Sequence, residues 1–336
     1  MNIFITGIAG FLGSHLAEEC INNGHNVYGN DNLIGGYKDN IPEGVHFSKT
    51  DCNDYEKINE IFKLNKIDIL YHCAATAYEG FSVFSPNFVT KNIFQSSVSV
   101  FSAALNNNIK RIIFCSSMAR YGDQKAPFTE DMPTAPVDPY GFAKVQAEEQ
   151  LAFLNKLHGL RYMTVVPHNV IGIGQRYMDP YRNVVAIMIN RMKQGKPIVI
   201  YGDGTQKRSF SNIMDCVDAV EKIVNTDRDL CGEVYNIGPD DNEIEIKEIA
   251  FKIGQICEKY PNFKHFPDRP TEVKNAWCSS KKIRKDFNYN AAVPLEQTIK
   301  EMCMWIDRRG IEEFDYSIDL EFVTDDTPKT WVERLI

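Results

Sequence analysis

Tyr140 and Lys144 stand four residues apart in Pro139-Tyr140-Gly141-Phe142-Ala143-Lys144, at the head of a strongly helical run that continues to Leu151. Residues so spaced share one face of a helix. A phenol ionises near pH 10 when unperturbed, and an ammonium one turn away favours the phenolate. Such a pair can take a proton from a hydroxyl and give it back. Ser117, in Ser116-Ser117-Met118-Ala119-Arg120-Tyr121-Gly122, can hydrogen-bond the same hydroxyl and steady the charge developing on its oxygen. The Tyr-to-Lys spacing recurs at Tyr121 to Lys125 and Tyr260 to Lys264, but those stretches cross Gly-Asp and Pro-Asn, which sit poorly inside a helix.

Removing a hydroxyl proton becomes redox chemistry when hydride leaves the same carbon, and the start of the chain reads as a cradle for a hydride carrier. Ile3 to Thr6 is a buried strand that runs through Gly7, Gly10 and Gly13 into a helix. Glycines at these points let the backbone turn tightly, approach a pyrophosphate and close the helix on its strand. The helix N-terminus then favours an anion. Asp31 ends the next apolar segment, His25 to Asn30, where a carboxylate meets a ribose hydroxyl. No arginine follows it directly, which favours NAD over NADP.

The Gly-x-x-Gly-x-x-Gly turn, the Ser-Ser-x-x-x-Tyr-Gly segment and the Tyr-x-x-x-Lys helix together resemble the extended short-chain dehydrogenase/reductase family, which includes NAD-dependent nucleotide-sugar epimerases and dehydratases. The resemblance spans nearly the whole chain. It implies that NAD is held by Gly7, Gly10, Phe11, Leu12, Gly13, Asp31, Asn32, Asp51, Cys52, Ala74, Ala75, Asn92, Tyr140 and Lys144. Asp51 reads equally as an adenine contact or a helix N-cap, and Ala74 and Ala75 as room for the cofactor or plain packing. The cofactor's positive ring would join Lys144 in lowering the Tyr140 phenol. For a UDP-sugar substrate the resemblance implies Arg208 and Arg269 on the diphosphate, Asn169 on a phosphate and Glu272 on the nucleoside ribose. Glu79, Ser117, Met118 and Tyr140 would meet the sugar. Arginine suits planar, two-pronged contact with phosphate oxygens.

Family dehydratases carry an Asp-Glu pair where this chain has Met118-Ala119, so elimination lacks its acid and base here. Oxidation at C4 and return of hydride to the other face remain, which is 4-epimerisation of a UDP-hexose or its N-acetyl or uronate relative. The alternatives are a dehydratase, decarboxylase or reductase of the same family, and, in another class, a non-catalytic NAD-binding regulatory protein. Ile173, where the family often has proline, alters the sugar loop. Substrate choice would rest on the loops around Tyr78-Glu79-Gly80-Phe81, Arg120 and Asp179 to Asn183.

These groups need an α/β scaffold: a Rossmann-type, doubly wound parallel sheet with a smaller α/β substrate-binding lobe. Helical spacing over residues 54–63, Phe88–Asn108, Asp179–Gln194, Ile244–Tyr260 and Pro294–Arg308 alternates with apolar strands at Ile67–Ala75, Arg111–Ser117, Tyr162–Pro167 and Glu233–Ile237. The expected division gives the NAD domain residues 1–167 plus about 210–240, and the lobe residues 168–209 and 241–336. A chain of 336 residues with 43% apolar content can fill both cores. The net charge of −8, with basic residues scattered, offers no face for nucleic acid. No apolar run reaches the roughly 18 to 20 residues needed to span a bilayer, and the first residues already form a strand, so a cytoplasmic protein with no membrane partner is expected. Nine cysteines stand singly and read as reduced packing residues, with no metal site. A homodimer is expected through helices Phe88–Asn108 and Tyr140–Leu157. The tail from Ser317 to Ile336 carries no recognisable chemistry, though Trp331 suggests that it docks on something.

Overall fold

Alternation along the first strand decides how the layers stack. In β1 (Asn2–Thr6), Ile3 and Ile5 point into one apolar core and Phe4 into another, as the period of two requires. The computed structural model describes residues 1–226, 228–240 and 243–336. Among them β1 sits within a seven-stranded sheet with β2 (Asn26–Asn30), β3 (His46–Ser48), β4 (Ile69–His72), β5 (Arg111–Cys115), β6 (Tyr162–Pro167) and a strand that returns from later in the chain. Short strands β7 (Val170–Ile171), β8 (Ile198–Tyr201), β9 (Lys207–Arg208) and β10 (Ser211–Asn212) precede that returning strand, β11 (Val234–Ile237). The order β11-β6-β5-β4-β1-β2-β3, parallel throughout, is the doubly wound Rossmann arrangement. The switch point falls beside β1, where the glycine turn emerges.

Helices cover both faces of the sheet. On one lie α1 (Phe11–Asn22) and, later in the chain, Ile213–Val224, with Leu16, Ala17 and Cys20 packed among Val217 and Val220. On the other lie α2 (Tyr55–Asn65) and the helical path from residue 86 to 106, with Phe62 and Phe101 in one cluster. A short helix α3 (Glu79–Ser82) precedes that path, which runs as α4 (Pro86–Thr90), a π-helical turn at Lys91–Gln95, and α5 (Ser96–Asn106). The single α-helix expected over Phe88–Asn108 is thus widened in its middle, and Asn92 stands in the widened turn. Next come α6 (Pro139–His158), α7 (Val184–Lys193) and α8 (Ile213–Val224).

The helix expected from Asp179 starts later. Pro180 disfavours helix at the residue before it, the Asp179 carboxylate accepts from the Tyr181 amide at 3.0 Å, and Asn183 caps the true start by accepting from Val185 N at 3.0 Å. Likewise the expected strand Ile67–Ala75 is confined to β4, and the segment from Ile244 opens as a strand, β12 (Ile244–Glu245), before α9 (Ile246–Ile256). Of the later elements, α10 (Lys281–Phe287), expected in the smaller lobe, instead packs Ile283 into the sheet core beside Val217 and Tyr235, while β13 (Phe263–Phe266), β14 (Asn275–Ala276) and α11 (Leu295–Arg309) complete the smaller lobe. Its core joins α7, α9, α11 and β8 through Ile189, Ile198, Ile253, Ile299 and Met302.

The tail from 311 to 336 runs back across both parts and ends in a short helix, α12 (Lys329–Val332). Asp315 pairs with Arg176, and the Glu321 carboxylate accepts from the amides of Asn87 at 3.0 Å and Phe88 at 2.6 Å, satisfying the open N-terminus of α4. Trp331 and Ile336 are buried with Phe84 and Phe314. The docking partner of Trp331 is therefore this chain itself. Among the described residues no helix is long and apolar enough to cross a membrane.

Candidate active site

Ser117 stands where β5 ends, its hydroxyl accepting from Ala119 N at 3.2 Å to cap a tight turn over Met118–Tyr121. Against that turn lies the start of α6. Asp138 caps it by accepting from Gly141 N at 2.7 Å, and Pro139 supplies the preset first residue. Gly141 explains the close approach: a Cβ there would come within 2.8 Å of the Ala119 carbonyl oxygen. Tyr140 thus reaches Ser117, and its own amide donates to Ser82 Oγ at 3.2 Å, tying α6 to α3. One turn on, the buried Lys144 Nζ donates to the Cys115 carbonyl at 2.6 Å.

Burial raises the Tyr140 phenol well above its ordinary value; the Glu79 charge adds to that, and Ser117 opposes it. Lys144, one turn on, has its ammonium on the Cys115 carbonyl and is itself depressed by burial. Desolvation within the cavity wall pushes Glu79 up to about 7, although its side chain is open to the cavity, with Asp138 raising it further and Arg208 opposing. Asp138 is pushed up to about 6 by burial, against the amides of Gly141 and Tyr140. Two carboxyls raised above their ordinary range therefore flank the phenol.

At the first turn, a Cβ on Gly10 would lie 2.9 Å from the Gly7 carbonyl oxygen, and one on Gly13 only 2.3 Å. Gly7 has φ +69 and abuts the Ala74 backbone. Asp31 accepts from Ala9 N at 3.0 Å and Leu33 N at 2.7 Å, locking the turn to the end of β2. Asp51 accepts from Asn32 at 2.9 Å and Asn53 N at 2.8 Å, while Asp54, not Asp51, caps α2. The N-cap alternative for Asp51 is thereby removed. Asn92 donates to Phe88 O at 2.8 Å.

Across the cavity, Arg208 on β9 pairs with Glu272 at 3.1 Å, and Arg269 pairs with the same carboxylate while lying 4.7 Å from the Tyr201 ring centroid. Glu272 was expected on a ribose; here it holds both arginines. Asn169 donates to Ser209 O at 3.0 Å.

Every residue expected to hold cofactor or substrate lines one cavity of about 460 Å³, including Phe11, Leu12, Cys52, Ala75 and Met118. Arg120 does not: it turns away and pairs with Glu148 at 2.9 Å. Tyr78 and Phe81 pack beneath the loop instead of lining the cavity. The Asp179 to Asn183 loop lines it through Pro180 to Asn183, as expected, and Thr76, Asp138, Tyr201, Trp331 and Ile336 line it without having been expected there. Trp331 gave a signal, being a lone indole in a polar tail; Asp138 gave one as the residue before Pro139 at a helix start.

A doubly wound sheet with a glycine cradle at its switch point and a Ser, Tyr and Lys trio beyond β5 defines an extended short-chain dehydrogenase/reductase. The chain belongs to the NAD dependent epimerase/dehydratase family, whose model matches residues 3–238. It is 32% identical over 324 residues to a UDP-N-acetyl-alpha-D-glucosaminuronate decarboxylase of Bacillus cytotoxicus, covering 90% of this chain and 96% of that one. Among solved structures it resembles the UDP-glucose 4-epimerase of Thermotoga maritima with UDP-glucose, at TM-score 0.86 and 29% identity over 92% of this chain and 99% of that one. It also resembles the UDP-glucuronic acid 4-epimerase of Bacillus cereus in complex with UDP-glucuronic acid and NAD, at TM-score 0.86 and 26% identity over 92% and 100%. The cofactor is NAD, and the cleared backbone at Gly7, Gly10 and Gly13 with the Asp31 carboxylate beyond it fits that dinucleotide.

Proposed function

We propose that this protein is an NAD-dependent nucleotide-sugar 4-epimerase acting on a UDP-sugar. The observation that carries the reading is the trio Ser117, Tyr140 and Lys144 at the C-terminal edge of the sheet, with no carboxylate at Met118 or Ala119. The chemistry that bound NAD supplies is reversible hydride transfer, so a C4 hydroxyl can be oxidised to a ketone and re-formed with the opposite configuration. Tyr140 takes the C4 hydroxyl proton and returns it. Ser117 hydrogen-bonds that oxygen, and Lys144 brings the positive charge that phenolate formation needs. Arg208 and Arg269 would exchange Glu272 for the diphosphate, a stronger anion presented in the plane guanidinium favours.

The relatives include a decarboxylase as well as epimerases, and the absence of an acid pair after Ser117 argues against elimination. In deuterated water, a UDP-hexose incubated with the holoenzyme and no added cofactor should equilibrate with its C4 epimer and take up no deuterium. Deuterium at C5 would overturn the assignment and direct attention to Glu79. The exposed Phe142, Phe153 and Leu157 on α6 support a homodimer through this helix, which sedimentation at micromolar concentration tests. The division into an NAD domain and a sugar lobe draws support from the return of β11 to the sheet.

A further inference from the structure

The loop beneath the sugar end of the cavity has one side chain free to meet a ligand. Tyr78, Phe81, Ser82 and Phe84 are all buried, at 1%, 0%, 0% and 2% exposure, whereas Glu79 projects into the cavity. The loop cannot easily swing aside. Ser82 Oγ donates to the Glu79 carbonyl at 2.6 Å and accepts from Tyr140 N, and Trp331 packs so closely on Gly80 that a Cβ there would meet its ring at 3.1 Å. Glu79 is thus fixed beside Tyr140, the group that defines where C4 must sit.

The charges facing Glu79 are Asp138 at the start of α6, Arg208 on β9, and Arg269 and Glu272 from the loop that follows β13. Both arginines are held by Glu272 and belong to the diphosphate in the reading above. Of the other cations lining the cavity among the described residues, Lys144 is bound to the Cys115 carbonyl. Arg182 donates to Gly35 O at 3.2 Å, lies over the Tyr78 ring and faces Asp179. Arg182 stands by Asp31 and Gly35 at the dinucleotide end, so a sugar carboxylate beside Tyr140 would meet two acids and, among the described residues, no cation but the two diphosphate arginines. A neutral sugar would offer those acids hydroxyl donors.

Resting on the nucleotide-sugar reading, we propose that Glu79, backed by Asp138, determines specificity in the sugar subsite: it accepts from hydroxyls of a neutral UDP-hexose or UDP-N-acetylhexosamine and repels a UDP-hexuronate. In this the chain departs from relatives whose substrates are uronates. Because a carboxyl pushed up to about 7 can be neutralised by taking a proton, the discrimination should be strongest in alkaline solution and fade towards about pH 6.

The test is calorimetric titration of the NAD-loaded protein with UDP, UDP-glucose, UDP-N-acetylglucosamine and UDP-glucuronate at about pH 8.5. The wild type should bind the neutral sugars about tenfold or more tightly than UDP-glucuronate, and Glu79→Gln should shrink that ratio to about threefold or less, with each affinity referred to that of UDP on the same variant. Asp138→Asn, which keeps a capping side chain, should shrink it partially. A wild-type ratio near one, or a ratio that Glu79→Gln leaves unchanged, overturns the proposal. UDP-sugar binding without turnover would sink the epimerase reading alone, whereas failure of UDP itself to bind would sink both.

Discussion

Arg120 and Glu148 meet in an ion pair at 2.9 Å, both nearly out of solvent, and the contact joins the turn that carries Ser117 to the helix that carries Tyr140 and Lys144. Ser116 Oγ adds a hydrogen bond to the same carboxylate. Breaking a buried pair leaves an uncompensated charge, so Glu148→Gln should cost about 3–5 kcal/mol of stability. Replacing both partners with apolar residues, Arg120→Met with Glu148→Leu, should recover most of that. Denaturant unfolding of the wild type, Arg120→Met, Glu148→Leu and the double variant, read as a double-mutant cycle, checks the coupling.

Tyr140→Phe should leave NAD binding and the unfolding midpoint almost unchanged while lowering kcat by about 10²–10⁴-fold. Ser117→Ala should be milder. A residual rate above about a tenth of wild type would exclude Tyr140 as the acid-base group.

The proton equilibria give two signs that can be checked separately. Tyr140 acts as a base only when ionised, and the Glu79 charge raises its pKa, so Glu79→Gln should move the acid limb of the kcat profile to lower pH. For stability, Glu79 and Asp138 have folded values raised above their unfolded ones, so the native state binds more protons between about pH 4 and 7. Their contribution is fully present below the unfolded values and is lost as pH rises through the folded ones. Unfolding free energy should thus fall across that window, and Glu79→Gln should flatten the fall.

Arg208→Ala and Arg269→Ala should each weaken UDP binding by about 1.5–3 kcal/mol, the value of a hydrogen bond to a charged group, with NAD affinity unchanged. Titration of both ligands on each variant separates this from general unfolding, which would weaken both.

The sequence discloses the cofactor cradle and the Tyr-Lys helix because their chemistry requires particular residue types at fixed spacing. It is poorer at direction. Arg120 follows Ser117 by three residues, yet the tight turn sends its side chain back to Glu148 and away from the cavity. The spacing of Tyr140 and Lys144 gives a shared face but not the Cys115 carbonyl that claims the ammonium. The π-helical turn holding Asn92 escapes a periodicity reading, since one added residue barely disturbs an apolar stripe. Trp331 announces that it is buried, but its partners Gly80, Phe84 and Tyr181 lie too far away in sequence for any local pattern to name them.

The tail that lies over the loop from Gly80 to Ser85 also sets an order in time. The Glu321 amide and Ser85 Oγ bond at 3.1 Å across 236 positions, whereas Asp31 and Ala9 fasten the glycine turn across only 22. Distant contacts form late, because the entropy of closing the intervening chain must be met before they repay it. During refolding from denaturant, dinucleotide binding should therefore return before nucleotide-sugar binding, and the two recoveries should be resolvable by adding each ligand at successive delays. An interval would then exist in which the cofactor is seated while the sugar end is still unwalled.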